Sequence, residues 1–259
     1  MQDSLLLLLV YVVGVVTAAL QVPESMVTAP GEPGGLVITT FNTAGLSDTW
    51  NETRSACYKK LFQSGDITVL QELRGDPGMI RSRLSPALPS NHTLLISQAM
   101  GRTEYYKERY GLLLNTSSVS VGDQGVLRRV NRSVNRPPQR VRIRAENISF
   151  TTYNIHTDPE TASEEIGRIS SALREDDDAL LIGDFNADCS YGDGEDVHDA
   201  FTVLVSDDAD TTVGPSNCAY DRVAANTGVA RLHRTTTVGS APEWISDHRP
   251  VQTTYEVAS

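Results

Sequence analysis

Residues 180–191 read LLIGDFNADCSY. Three branched apolar residues run into a glycine and then into Asp184-Phe185-Asn186, so the pattern is that of a buried strand delivering polar side chains at its end. Taken alone, Asp184 and Asn186 could be no more than a turn, because Asp and Asn favour turns.

The same arrangement recurs along the chain. ITTFN ends at Asn42, ITVLQE at Gln71-Glu72, and TTYNIH at Asn154 and His156. Tyr220-Asp221-Arg222 opens a further run, and Ser246-Asp247-His248 precedes the last one. Each of these residues has an ordinary explanation as a solvated turn or a cap. That explanation fails jointly, because it leaves the repeated placement of donors at strand ends unaccounted for, and such ends on a rigid sheet are where sites are built. Asn, Asp and Glu are hard oxygen donors suited to Mg²⁺, Mn²⁺ or Ca²⁺, and histidines beside carboxylates add acid–base capacity near neutral pH. His92, His198 and His233 lack such a context. Arg128, Arg129, Arg132, Arg136, Arg140, Arg142 and Arg144 form one basic stretch, which is either a solvated edge or a phosphate-facing patch.

Strand-like runs lie at 36–41, 67–71, 93–97, 111–114, 141–145, 149–153, 179–183, 220–224 and 251–255. The clearest helical pattern covers 161–174, opened by Asp158-Pro159-Glu160 and carrying Ile166, Ile169 and Leu173 on one face. Strands alternating with helices, and strands following strands, predict an α/β sandwich of mixed sheets. The chain has 259 residues, 39% of them hydrophobic and 21% charged, which excludes disordered and fibrous classes and leaves room for one large core. Its net charge of −11 argues against a polybasic coat for nucleic acid, but not against an enzyme that meets phosphates through metal ions.

The apolar run 5–16 followed by Thr17-Ala18-Ala19 reads as a signal peptide over residues 1–19, too short to span a bilayer. Residues 20–35 read as a Pro/Gly-rich lead-in and 36–259 as a single catalytic domain. Five N-x-[ST] sequons, at Asn51, Asn91, Asn115, Asn131 and Asn147, fit an extracellular glycoprotein. Three cysteines, Cys57, Cys189 and Cys218, imply one bridge and one leftover thiol in an oxidising compartment.

ITTFN, ITVLQE, NIH, LLIGDFNADCSY, NCAYDR and ISDHRPV follow one another in the order that resembles the DNase I-like endonuclease/exonuclease/phosphatase superfamily. The segments YKER (106–109), DCSY (188–191) and NCAYDR (217–222) are the more specific ones and resemble its secreted deoxyribonucleases. The resemblance implies a four-layered α/β/β/α sandwich, two packed mixed sheets flanked by helices, that hydrolyses double-stranded DNA to 5′-phosphorylated oligonucleotides. It places Mg²⁺ or Mn²⁺ on Asn42, Glu72, Asp184 and Asp247, and the scissile phosphate on Asn186. It pairs Glu108 with His156 and Asp221 with His248 as catalytic dyads, and puts Arg74, Tyr106, Arg136 and Tyr220 on the DNA. It also pairs Cys189 with Cys218. Where the family binds structural Ca²⁺, only Asp210 and Thr212 remain, with Gly214 and Ser216 after them, so a weak site is expected. Ala44 stands where a longer polar residue usually enters the minor groove, and 114–138 lacks the family's small disulfide and acidic loop. A monomer without membrane attachment is expected; actin binding stays open, as do a related phosphodiester substrate and a purely protein-binding role.

Overall fold

The computed structural model describes residues 35–46, 49–101, 107–192 and 197–257. In chain order the elements are β1 (Gly35–Asn42), α1 (Glu52–Gln63), β2 (Ile67–Leu73), α2 (Pro77–Leu84), β3 (His92–Ile96), β4 (Arg109–Asn115), β5 (Ser120–Val126), β6 (Gln139–Ala145), β7 (Ile148–His156), α3 (Ala162–Ala172), β8 (Ala179–Asp184), β9 (Phe201–Val203), β10 (Asp221–Asn226), α4 (Thr227–Ala230), β11 (His233–Val238) and β12 (Val251–Glu256). The expected signal segment and the lead-in up to residue 34 lie outside the described residues, and Gly35 already belongs to β1. Among the described residues no helix is long and apolar enough to cross a membrane.

The strands form two six-stranded sheets, ordered β11-β12-β1-β2-β4-β3 and β5-β6-β7-β8-β10-β9. Each has one parallel pair at its centre, β1 with β2 and β7 with β8, and antiparallel neighbours elsewhere. A parallel pair needs a crossover. α1 supplies it between β1 and β2, and α3 between β7 and β8.

Alternation along the strands sorts side chains into three cores. Ile38, Val69 and Leu112 of the first sheet meet Val141, Ile182 and Val223 of the second. Phe41, Leu70 and Leu113 point the other way, onto Leu61 and Phe62 of α1 and Ile80 of α2. Tyr153, Ile155 and Leu181 face outward onto Ile166 and Ile169 of α3. The result is the expected α/β/β/α order, two mixed sheets between helices.

Each of the nine strand-like runs falls on a strand, with Ser97 and Tyr220 one residue outside β3 and β10, and the 161–174 pattern contains α3. Three strands carry no such signal. β5 (SVGDQGV), β9 (three residues) and β11 (HRTTTV) are each the edge of a sheet and mostly exposed. An edge strand with little to bury has no apolar alternation to read.

Candidate active site

The two parallel pairs decide where polar groups gather. In each, both strands run the same way, so the C-terminal ends of β1 and β2 carry Asn42 and Gln71-Glu72, and those of β7 and β8 carry His156 and Asp184. Packing the sheets face to face brings these four ends together, at the edge where open α/β sheets bind ligands.

Local backbone devices aim the side chains. The β2–β4 register slips between Leu70 and Leu73, and Glu72 within that bulge has φ +55°. A bulge re-aims one side chain, and here it turns Glu72 toward Asn42. In β8, Gly183 has φ +144° and lies against β7 so closely that a Cβ would sit 2.1 Å from the Ile155 carbonyl oxygen. Only glycine fits there, which explains the Gly before Asp184. Asn186 is left-handed too, at φ +46°. Its amide N–H donates to Asp184 Oδ1 at 3.0 Å and its side chain donates to the Thr157 carbonyl at 3.2 Å.

Asp184 is the centre of the arrangement. Its Oδ2 accepts from Asn42 Nδ2 at 2.9 Å and lies 3.6 Å from Nε2 of both His156 and His248. Asn42 Nδ2 also donates to Glu72 Oε1 at 3.3 Å. Each imidazole has its other nitrogen on a buried carboxylate: His156 Nδ1 is 2.6 Å from Glu108 Oε1, and His248 Nδ1 is 2.8 Å from Asp221 Oδ2. Burial pulls His156 down in pKa, but the charge and hydrogen bond of Glu108, with Asp184, outweigh it and the net shift is upward. Burial likewise opposes charge on His248, yet Asp221, Asp184 and Asp247 raise it to about 10.

Asp247 is mostly exposed at the rim, its Oδ1 3.9 Å from His248 Nε2. Glu72, Glu108 and His156 also form a group whose ligand atoms lie within 4.8 Å of one another. In that group Glu108 Oε1 is committed to His156 and to Arg136, 3.4 Å away, and Glu72, held by Asn42 and by exposed Arg74, is the less buried of the two carboxylates.

The expected DNA-contact residues separate. Tyr220 is half-buried beside Asp221 and packs its ring 5.8 Å from that of exposed Tyr191. Arg74 is exposed and pairs with Glu72 at 2.6 Å. Tyr106 lies outside the described residues. Arg136, expected on the DNA, is instead 4% exposed behind His156. Its Nε donates to the His156 carbonyl and its Nη2 to that of Thr157, both at 2.7 Å, and the Glu108 carboxylate compensates its buried charge.

Two residues in the arrangement, Tyr110 and Thr157, carry no signal of their own in the sequence, and a third, Ser246, shows only as part of Ser246-Asp247-His248. Tyr110 accepts the His156 backbone N–H through its hydroxyl at 3.0 Å. Thr157 anchors both Arg136 and Asn186. Ser246 donates to the Asn42 carbonyl at 2.7 Å and accepts the His248 N–H at 3.0 Å, so one hydroxyl ties the ends of β1 and the 246–248 turn together.

Arg136 apart, arginines of the basic stretch lie elsewhere. Arg140 pairs with Asp123 at 2.7 Å, Arg142 with Asp178, and Arg129 approaches Asp176 at 4.0 Å. These residues line a cavity of about 880 Å³ that neither His156 nor His248 lines, and its aspartates neutralise most of its arginines. The bridge joins Cys189 and Cys218, with Cα atoms 5.9 Å apart, and Cys57 is a free thiol buried in α1.

The profile of the Endonuclease/Exonuclease/phosphatase family matches residues 39–248. The chain is 29% identical to Deoxyribonuclease-1 of Bos taurus over 85% of this chain and 92% of that protein. It is 30% identical to Deoxyribonuclease-1 of Rattus norvegicus, over 85% and 91%. Among solved structures, D. rerio TDP2 complexed with single strand DNA product superposes with a TM-score of 0.62 at 16% identity, covering 86% of this chain and 99% of that one.

Proposed function

Because the chain belongs to the endonuclease/exonuclease/phosphatase family as a DNase I-like member, a hydrolase of phosphodiester bonds, we propose that it is a secreted, divalent-metal-dependent endonuclease that cuts double-stranded DNA to 5′-phosphorylated products. One observation carries the reading. Two imidazoles, each backed by a buried carboxylate, present Nε2 at 3.6 Å from the same Asp184 oxygen.

Such a pair can handle both proton transfers of phosphodiester hydrolysis. Glu108 and Asp221 hold the proton on Nδ1 and leave each Nε2 facing the site, so one ring can take a proton from water while the other gives one to the departing 3′-oxygen. Asn186, locked by Thr157 and Asp184, offers an amide to the phosphate. Arg136, buried against Glu108, sets the position of the first dyad rather than touching substrate.

The donor set fits a hard divalent cation: Glu72, Asp184 and Asp247 are carboxylates, with Asn42 beside the first two. These four would hold Mg²⁺ or Mn²⁺, which when bound stabilises charge building on the phosphoryl oxygens. Arg74, Tyr106 and Tyr220 are assigned to the DNA. The Cys189–Cys218 bridge supports an oxidising compartment, and Asn51, Asn91, Asn131 and Asn147 are exposed as glycan acceptors need to be, with Asn115 half-buried.

Supercoiled plasmid tests the proposal. Nicking with Mg²⁺, its loss in EDTA, and 5′-phosphate at the new ends are expected. Activity restored by zinc with magnesium inert would overturn the metal assignment, and intact plasmid under every condition would overturn the nuclease.

A further inference from the structure

We propose that Arg249 takes the place of a structural calcium ion, its guanidinium fastening the 210–216 loop to the 247–249 segment and so positioning His248. Calcium takes six to eight oxygens, and the residues left here do not fit it. Asp210 is the one carboxylate in the 210–216 loop, and it is fully engaged. Its Oδ1 accepts the Thr212 N–H at 3.2 Å and lies 3.0 Å from Thr212 Oγ1, while Oδ2 pairs with Arg249 Nη1 at 2.9 Å. The same Nη1 reaches the Asp210 carbonyl at 3.4 Å. Thr212 Oγ1 is held in addition by the Ser216 carbonyl at 2.8 Å. Gly214 brings no side-chain ligand. A calcium ion would have to displace a cation that the chain already supplies.

The consequence reaches the dyad by two routes. Arg249 N–H donates to the Thr211 carbonyl and Val213 N–H to that of Asp247, each at 2.7 Å, so Thr212 and His248 stand opposite one another in an antiparallel bridge. Buried Thr211 then accepts the Asp221 N–H on its Oγ1 at 3.0 Å. The loop that Arg249 holds therefore touches the backbone of both His248 and Asp221, the residue whose carboxylate orients it. Arg249 is a positioning residue: it acts through backbone, and it makes none of the contacts assigned above to substrate.

The effect on turnover rests on the nuclease reading; the effect on the loop does not, and the experiment separates them. Elastase cleavage at Ala209 and Val213 is timed in full-length wild type, R249M, R249K and D210N, each in EGTA and in 5 mM CaCl₂, with the disulfide intact. Wild type should be cut at the same rate in both media. R249M and D210N should be cut at least ~10-fold faster in EGTA, as expected when a local opening loses its restraint, and R249K within ~3-fold of wild type. The R249M/D210N double variant should be no worse than either single one, since both break one contact. On DNA, R249M should lose kcat by ~10-fold with KM moving less than ~2-fold. Calcium protecting wild type more than ~3-fold, or R249M resisting elastase as wild type does, would overturn the proposal. An inactive wild type with a fragile R249M loop would instead sink the nuclease reading and leave this one standing.

Discussion

Gln71 Nε2 donates to Asn154 Oδ1 at 2.8 Å, one side chain from each sheet. Asn154 in turn donates to the Leu70 and Gly111 carbonyls at 3.0 and 3.3 Å, so a single amide stitches β7 of the second sheet to β2 and β4 of the first. The stitch lies beside the bulge that aims Glu72, and two sheets that could otherwise slide on an apolar layer are fixed where the site needs them. Asn154→Leu removes the acceptor that Gln71 uses across the sheets, leaving its side chain to Thr40 alone, and takes the side-chain donor from two carbonyls. The expected cost is about 2–3 kcal/mol, a fall in Tm of roughly 4–12 °C. Unchanged thermal denaturation would mean that the network is not what sets the sheets' spacing.

The histidines should matter for rate and little for folding. His156→Ala and His248→Ala are each expected to lower kcat by roughly 10²–10⁴, with far-ultraviolet circular dichroism like that of wild type. Either variant turning over DNA at near-normal rate would remove that ring from the proton transfers. Glu108→Gln and Asp221→Asn should fall between, because an amide can still hold a ring in place but stabilises imidazolium less.

Much of this site is legible in the sequence because its residues sit where apolar runs stop. The buried runs 179–183 and 67–71 announce their strands, and Asp184 and Glu72 follow directly. What escapes is whatever depends on a second segment far away. Arg136 looks like one more cation in a basic stretch, and only the fold reveals that its guanidinium is used up on His156, Thr157 and Glu108. The exposed edges β5, β9 and β11 bury too little for a pattern to form. The left-handed backbone at Glu72 and Asn186 is invisible too, since neither position is glycine.

Stability should depend on pH through His248. Its ordinary value near 6.5 is raised to about 10 in the fold, so its contribution is fully present below about pH 6.5 and is lost as pH rises toward 10. In EDTA, wild-type Tm should therefore drop between pH 6.5 and 9.5 by more than that of His248→Gln, the difference being at least ~3 °C, the equivalent of about 1 kcal/mol. Parallel curves for the two proteins would show that the Asp221–His248 pair carries no net proton linkage.

The disulfide closes the segment in which the loop and the dyad meet. Cys189 and Cys218 are 29 residues apart, and between them lie Asp210, Thr211 and Thr212, while Asp221 follows three residues after the bridge. The cross-link restricts the unfolded chain over that span, worth about 3–4 kcal/mol on the chain-entropy account. Cys189→Ala with Cys218→Ala should then lower Tm by roughly 6–16 °C. Asp188 gives a partial brake on that loss, since its Oδ2 accepts the Ala219 N–H at 2.6 Å and joins the same two strands of chain without sulfur. Cys57 cannot take over. It is buried among α1's core contacts, and burial pushes its thiol pKa up, away from the reactive thiolate. Peptide mapping of the non-reduced protein should yield 189–218 as the cross-linked pair with Cys57 alkylated only after denaturation. A Cys57-containing cross-link would contradict both the pairing and the packing of α1.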